Sequence, residues 1–270
     1  MAQKPLFPFS LNRSKDTPPA ETASKPQPEP IWTGKSTQDD PFTESVRPIV
    51  LSRKNFNKIF GIGYNKTGTN SLSYTLQRYG YDMPCQGEQE ARLTQRCFAT
   101  DYTELKSFVS QYDAFQDLPF SQEDLYVAAD ALFPNSKFIL TIRDPEEWFS
   151  SMCRFQKKIY DLDDLSKVTE QDVMEKFGYL YKGYGHANKQ RQLTNFVDGA
   201  PVTDWSKLYD KDYNIASYTQ RNNRIQRYFA SAPDKLLVID LTKEATTERI
   251  CSFLNIPAEY SFDVPHANKT

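Results

Sequence analysis

Apolar residues in this chain gather into four short runs, each closed by a polar turn. They lie near 58–64 (Ile59-Phe60-Gly61-Ile62), 112–117 (Ala114-Phe115), 137–142 (Phe138-Ile139-Leu140) and 235–240 (Leu236-Leu237-Val238-Ile239). Short continuous apolar runs predict strands covered on both faces, as in a parallel sheet. The stretches between them are long enough for crossover helices. Asp144-Pro145, after the third run, places a cap and a first-turn proline at a helix start. Residues 246–254 predict a short helix after the fourth run. Ile215 to Phe229 predicts another, with Tyr218, Ile225 and Phe229 on one face and Arg221, Arg224 and Arg227 on a solvated one. The fold class that follows is α/β, a parallel sheet flanked by helices, with ligands at the C-terminal strand ends.

The first 54 residues break this pattern. They hold nine of the 17 prolines, spaced by Ser, Thr, Gln and charges. With no amphipathic period, residues 1–54 read as a disordered or loosely attached lead, with Trp32 and Phe42 solvated. Residues 55–270 then form the folded domain. Aromatic content of 14% can fill its core, and a net charge of -2 argues against general nucleic-acid binding. No apolar stretch marks a secretory signal or a transmembrane segment, so a soluble cytoplasmic protein is expected, with Cys85, Cys97, Cys153 and Cys251 reduced. These cysteines and the two histidines show no metal-ligand spacing.

The turn after the first run carries chemistry. Asn65-Lys66-Thr67-Gly68-Thr69-Asn70-Ser71 leads from a buried strand into a helix. Backbone N–H groups at such a helix start meet anions. Lys66 adds a point charge, Gly68 lets the backbone approach, and Thr69 and Ser71 offer hydroxyls. A nucleotide-hydrolysing loop would read G-x-x-x-x-G-K-[ST]. Here the lysine precedes the glycine, which suits an anion held without Mg²⁺-triphosphate geometry. The plainer alternative is an ordinary junction with Asn65 or Thr67 near the N-cap. Arg143 closes the third run and Ser151 stands eight positions later on the following helix. A guanidinium can grip phosphate oxygens bidentately. Asp117 ends the second run before Leu118-Pro119.

Together these segments resemble the sulfotransferase family, whose members use 3′-phosphoadenosine 5′-phosphosulfate (PAPS) as sulfuryl donor. The resemblance runs from about 56 to 270. It includes Lys137-Phe138-Ile139-Leu140 before Arg143, and a closing order of strand, helix, Phe253-Leu254-Asn255-Ile256-Pro257 and Pro265-His266-Ala267-Asn268. It implies a P-loop-like sulfotransferase fold with a helical acceptor-side insertion at about 155–231, where Phe155, Tyr160, Tyr179 and Tyr184 fall. It implies that Lys66, Thr67, Gly68, Thr69, Asn70 and Ser71 hold the 5′-phosphosulfate. Arg143 and Ser151 hold the 3′-phosphate, with help from Lys269. The family's basic Arg-Lys-Gly string is absent. Asp117 takes the place of a base that is histidine in cytosolic small-molecule members and a carboxylate in other branches. The implied reaction is in-line transfer to a hydroxyl or amine, with Lys66 neutralising the leaving oxygen, no metal, and adenosine 3′,5′-bisphosphate as product. The acceptor stays open among small molecules, sugars, lipids and peptides. Two other readings stand beside this one: a P-loop nucleotide or nucleoside kinase, which lacks its Gly-Lys-Ser/Thr here, and a non-catalytic nucleotide-binding relative.

Overall fold

The structure is a computed structural model and describes residues 39–265. In chain order its first half contains α1 (Pro41–Arg53), β1 (Ile59–Gly61), α2 (Thr69–Arg78), α3 (Gln86–Phe98), α4 (Thr103–Val109), β2 (Ala114–Phe115), α5 (Leu125–Leu132) and β3 (Lys137–Thr141). Then come α6 (Pro145–Tyr160), α7 (Glu170–Lys176), α8 (Tyr184–Leu193), β4 (Thr194–Val197), β5 (Ala200–Thr203), α9 (Lys211–Tyr228), β6 (Leu236–Ile239) and α10 (Glu248–Phe253). The four apolar runs supply a parallel sheet in the order β2-β1-β3-β6.

Successive strand residues point to opposite faces, so this sheet has two cores. Ile59, Ala114 and Ile139 face α1, α2 and α10 through Val46, Val50, Leu72, Leu76, Ile250 and Leu254. Phe60, Phe115 and Phe138 face the other way, with Phe108, Phe120, Phe133, Ile225 and Phe229. The Phe60 ring stacks on Phe115 at 5.5 Å and on Phe138 at 5.4 Å. Both faces demand apolar residues, which explains why the strands read as continuous runs. A third cluster, Leu162, Val173, Phe177, Leu193 and Leu208, packs the helices between β3 and α9.

Three features depart from the sequence reading. Residues 41–53, expected within a loose lead, form α1. Its start is set by Asp40, whose Oδ1 accepts from the Phe42 N–H at 2.9 Å, and by Pro41 in the first turn. Val46 and Val50 are buried, and Phe42 meets Phe262 edge-on at 5.6 Å beneath the Arg78 guanidinium. The helix presents a narrow apolar stripe interrupted by Pro48, so proline density masked it. Trp32 lies outside the described residues. Second, Arg221 falls on the buried face of α9, with Tyr218 and Ile225. Positions 218, 221 or 222, and 225 follow the 3.6-residue period, and the arginine shares that stripe. Third, β4 and β5 form an unanticipated antiparallel hairpin. Its Asp198-Gly199 turn has φ values of 51° and 80°, as a two-residue turn with positive φ requires. Phe196, at its tip, is 79% exposed.

Deleting residues 1–54 is therefore expected to destabilise the domain. Burial of Val46 and Val50 alone is worth roughly 3–6 kcal/mol together, at about 1.5–3 for each side chain. Thermal unfolding of the truncated chain should show a midpoint many degrees lower. An unchanged midpoint would mean that α1 contributes nothing to the core.

Candidate active site

The site is built where β1, β2 and β3 end. The loop after β1 must pass close to β3: a Cβ at Gly63 would stand 2.1 Å from Thr141 Oγ1. Thr67 is buried and turned toward the sheet, its hydroxyl 2.7 Å from that of Thr141. Its hydroxyl pins the loop to β3. Lys66 and Gly68 flank it with φ values of 73° and 96°. This left-handed backbone is easy for glycine and uncommon for lysine. No side chain caps α2 at Gly68, so its first N–H groups are left for another acceptor. Ser71 is engaged elsewhere, donating to the Pro265 carbonyl at 2.6 Å. Asn70 is partly exposed on the first turn of α2.

The Lys66 ammonium lies 4.7 Å from the centre of the Phe155 ring on α6 and is in no ion pair among the described residues. Burial lowers its pKa first, and the positive charges of Arg143 and Arg154 add to that, against the opposing pull of Asp117. Arg143 follows β3 by two residues. Its backbone N–H donates to the Tyr218 hydroxyl at 2.9 Å, and its Nε pairs with Glu147 at 3.1 Å on an exposed edge. Tyr218 stacks on Trp148 at 4.3 Å, and the Trp148 indole N–H donates to the Asn65 carbonyl at 3.2 Å. Through these contacts α6 is locked to the loop. Ser151 lies buried on α6, one turn beyond Trp148.

Asp117 stands two residues past β2 with φ 63° and is 3% exposed. Its Oδ1 accepts from the Leu118 N–H at 3.0 Å. Its Oδ2 receives weaker contacts from Thr69 Oγ1 at 3.5 Å and Gln86 Nε2 at 3.4 Å. Burial pushes this carboxyl up to about 6, although hydrogen bonds from Leu118, Thr69 and Asn65 and the Lys66 charge oppose the rise. Sequence reasoning missed its neighbour. Glu90, on α3, is 4% exposed, and Gln86 donates to its Oε1 at 2.8 Å. The same Gln86 amide thus touches both carboxylates. Burial raises Glu90 as well, and the Asp117 charge adds to it. The signal was present: Gln86, Gln89, Glu90, Leu93 and Cys97 follow one helical stripe, so the polar residues continue an apolar face inward.

Beside Lys66 opens a cavity of about 290 Å³. Aromatic residues from several helices line it, among them Phe155, Tyr160, Tyr179 and Tyr184. Burial raises the Tyr179 and Tyr184 hydroxyls, and the Glu90 and Asp117 charges add to this. His186 is not part of this wall. Its Nε2 meets Glu170 at 2.8 Å and its ring stacks on Trp205. His266 and Lys269 lie outside the described residues. Among the described residues, no group of three or more His, Cys, Asp or Glu could hold a metal ion, and no helix is long and apolar enough to cross a membrane.

The fold and site define an α/β domain with a strand–loop–helix junction, its helix start uncapped by any side chain, at the C-terminal ends of a parallel sheet. Residues 58–270 match the family model described as the Sulfotransferase domain, and the chain belongs to that family. Comparison with curated proteins finds no match.

Proposed function

We propose that this protein transfers a sulfuryl group from PAPS to a hydroxyl or amine of a small-molecule acceptor, with Asp117 as base. The observation that carries this is one loop that sets Lys66 in the wall of an aromatic cavity and leads into the uncapped start of α2, where Thr69 Oγ1 lies 3.5 Å from buried Asp117. The cradle fits an anionic donor, because among the described residues Lys66 has no ion-pair partner and no side chain caps the start of α2. PAPS, when bound, supplies the sulfuryl group and leaves as adenosine 3′,5′-bisphosphate. Lys66 and the N–H groups of Gly68, Thr69 and Asn70 hold its 5′ end, and Arg143 with Ser151 holds the 3′-phosphate. Thr67 and Ser71 act instead as braces, since their hydroxyls are spent on Thr141 and Pro265.

Asp117 takes the acceptor proton at a carboxylate oxygen. Two buried carboxylates near one amide do not both ionise readily. Burial raises both groups, and the Asp117 charge raises Glu90 further, so an ionised Asp117 favours a protonated Glu90. Lys66 stabilises charge that develops on the departing phosphate oxygen, where a preorganised cation acts most strongly. The helices from α6 to α9 wall the acceptor side of the cavity. The catalytic domain in this reading begins with α1.

Calorimetric titration tests the donor. Adenosine 3′,5′-bisphosphate should bind tens- to about a thousandfold more tightly than AMP, since charge-assisted contacts to the 3′-phosphate are worth on the order of 2–4 kcal/mol. Equal affinities would remove the role given to Arg143 and Ser151. Preference for ATP with Mg²⁺ would favour the kinase reading. Transfer of label from PAPS to an acceptor separates an enzyme from a non-catalytic relative.

A further inference from the structure

The acceptor cavity is electrostatically lopsided. Five basic side chains line it, Lys66, Lys189, Arg191, Arg221 and Arg224, against the single acid Glu123. Three have an assigned task. Lys66 faces the donor cradle. Arg191 donates to the Phe98 carbonyl and covers its ring. Arg224 pairs with Asp124 at 3.7 Å.

Lys189 and Arg221 are different. Lys189, on α8, is 8% exposed, and its ammonium has one hydrogen bond, to the neutral Gln192 Oε1 at 3.3 Å. Arg221, on α9, is 2% exposed. Its Nη2 donates to the Ile62 carbonyl at 3.1 Å and its guanidinium covers the Tyr64 ring at 4.4 Å. Its Nε and Nη1 have no hydrogen-bond partner among the described residues. Neither cation forms an ion pair among the described residues. Burying an unpaired charge is costly, and buried cations are ordinarily matched by an anion. Burial lowers the Lys189 pKa to about 8, against a smaller opposing effect of Cys153.

We propose that the acceptor carries an anionic group, a carboxylate or a phosphate, on an aromatic or apolar body, and that Lys189 receives this group inside the cavity. Arg221 adds to the positive potential of the site. The assignment rests on the reading of this cavity as the acceptor's. It narrows the acceptor from any hydroxyl or amine to anionic ones. The aromatic lining accommodates the body, and the transferable hydroxyl or amine faces Asp117 and Lys66.

The test uses 6-hydroxy-2-naphthoate and its methyl ester, which differ in one negative charge and share a fluorescent two-ring body. Both are titrated into the full chain saturated with adenosine 3′,5′-bisphosphate. The acid should bind at least about tenfold more tightly than the ester, the scale of a desolvated charge pair. Lys189→Met, close in volume, should abolish that preference and leave nucleotide affinity unchanged. Lys189→Gln, which keeps a donor without the charge, should behave the same way. Equal binding of acid and ester, no binding of either, or a preference that survives both substitutions would overturn the proposal. If the nucleotide itself fails to bind, the sulfuryl-transfer reading falls, and the acid-to-ester ratio on the unloaded chain still decides whether Lys189 is an anion receptor.

Discussion

Asp117→Asn is expected to lower turnover by about 10²–10⁴-fold, the usual contribution of a general base, while donor affinity stays nearly unchanged. Asparagine keeps the shape and can still accept from the Leu118 N–H, which holds Oδ1 at 3.0 Å. It cannot take a proton at neutral pH. The wild-type rate should also fall as pH drops through about 6, where the buried carboxylate becomes protonated. The residual rate of the variant should lack that step. Stability should move the other way. The folded pKa of Asp117 lies above its unfolded value, so the folded chain binds this proton more tightly. Its contribution is fully present below the unfolded value and is lost as pH rises through the folded one. Removing the ionised group should raise the thermal midpoint at neutral pH. Retention of more than about a tenth of wild-type turnover would place the base elsewhere. Glu90 then becomes the first residue to replace, because His186 is engaged with Glu170 away from the cavity.

Lys66→Ala should lower turnover by about 10²-fold or more, with a smaller loss of adenosine 3′,5′-bisphosphate affinity. The charge matters most while the leaving oxygen becomes anionic, so kcat should fall further than binding. A second readout follows from the electrostatics. Lys66 pulls the Asp117 pKa down. Its loss should move the acidic limb of the pH–rate profile to higher pH. Near-normal turnover, or a profile that does not move, would reduce the loop to a structural turn.

Much of the sheet was legible in the sequence because its strands are covered on both faces. Phe60, Phe115 and Phe138 on one face and Ile59, Ala114 and Ile139 on the other leave continuous apolar runs. The strand–loop–helix junction that carries Lys66, Gly68 and Thr69 was legible because its residues are contiguous in the chain. The loop's own division of labour was not. Whether a threonine hydroxyl faces a ligand or a neighbouring strand depends on distant residues, here Thr141 for Thr67 and Pro265 for Ser71. Segment 41–53 was hidden for a related reason. Pro41 and Pro48 read as loop composition, whereas one begins a helix and the other is accommodated inside it.

The sequence by itself determined the α/β class, the four parallel-sheet strands and the family, since these rest on local runs and contiguous motifs. Only the tertiary structure brought Glu90 beside Asp117 through the shared amide of Gln86, buried Arg221, and joined Lys189 to the same cavity as Lys66. These pairings cross from 27 residues of chain, for Glu90 and Asp117, to more than 100, for Lys66 and Lys189. The energetics of a charge are decided by burial and by what lies opposite it, and neither is written in the order of residues around that charge.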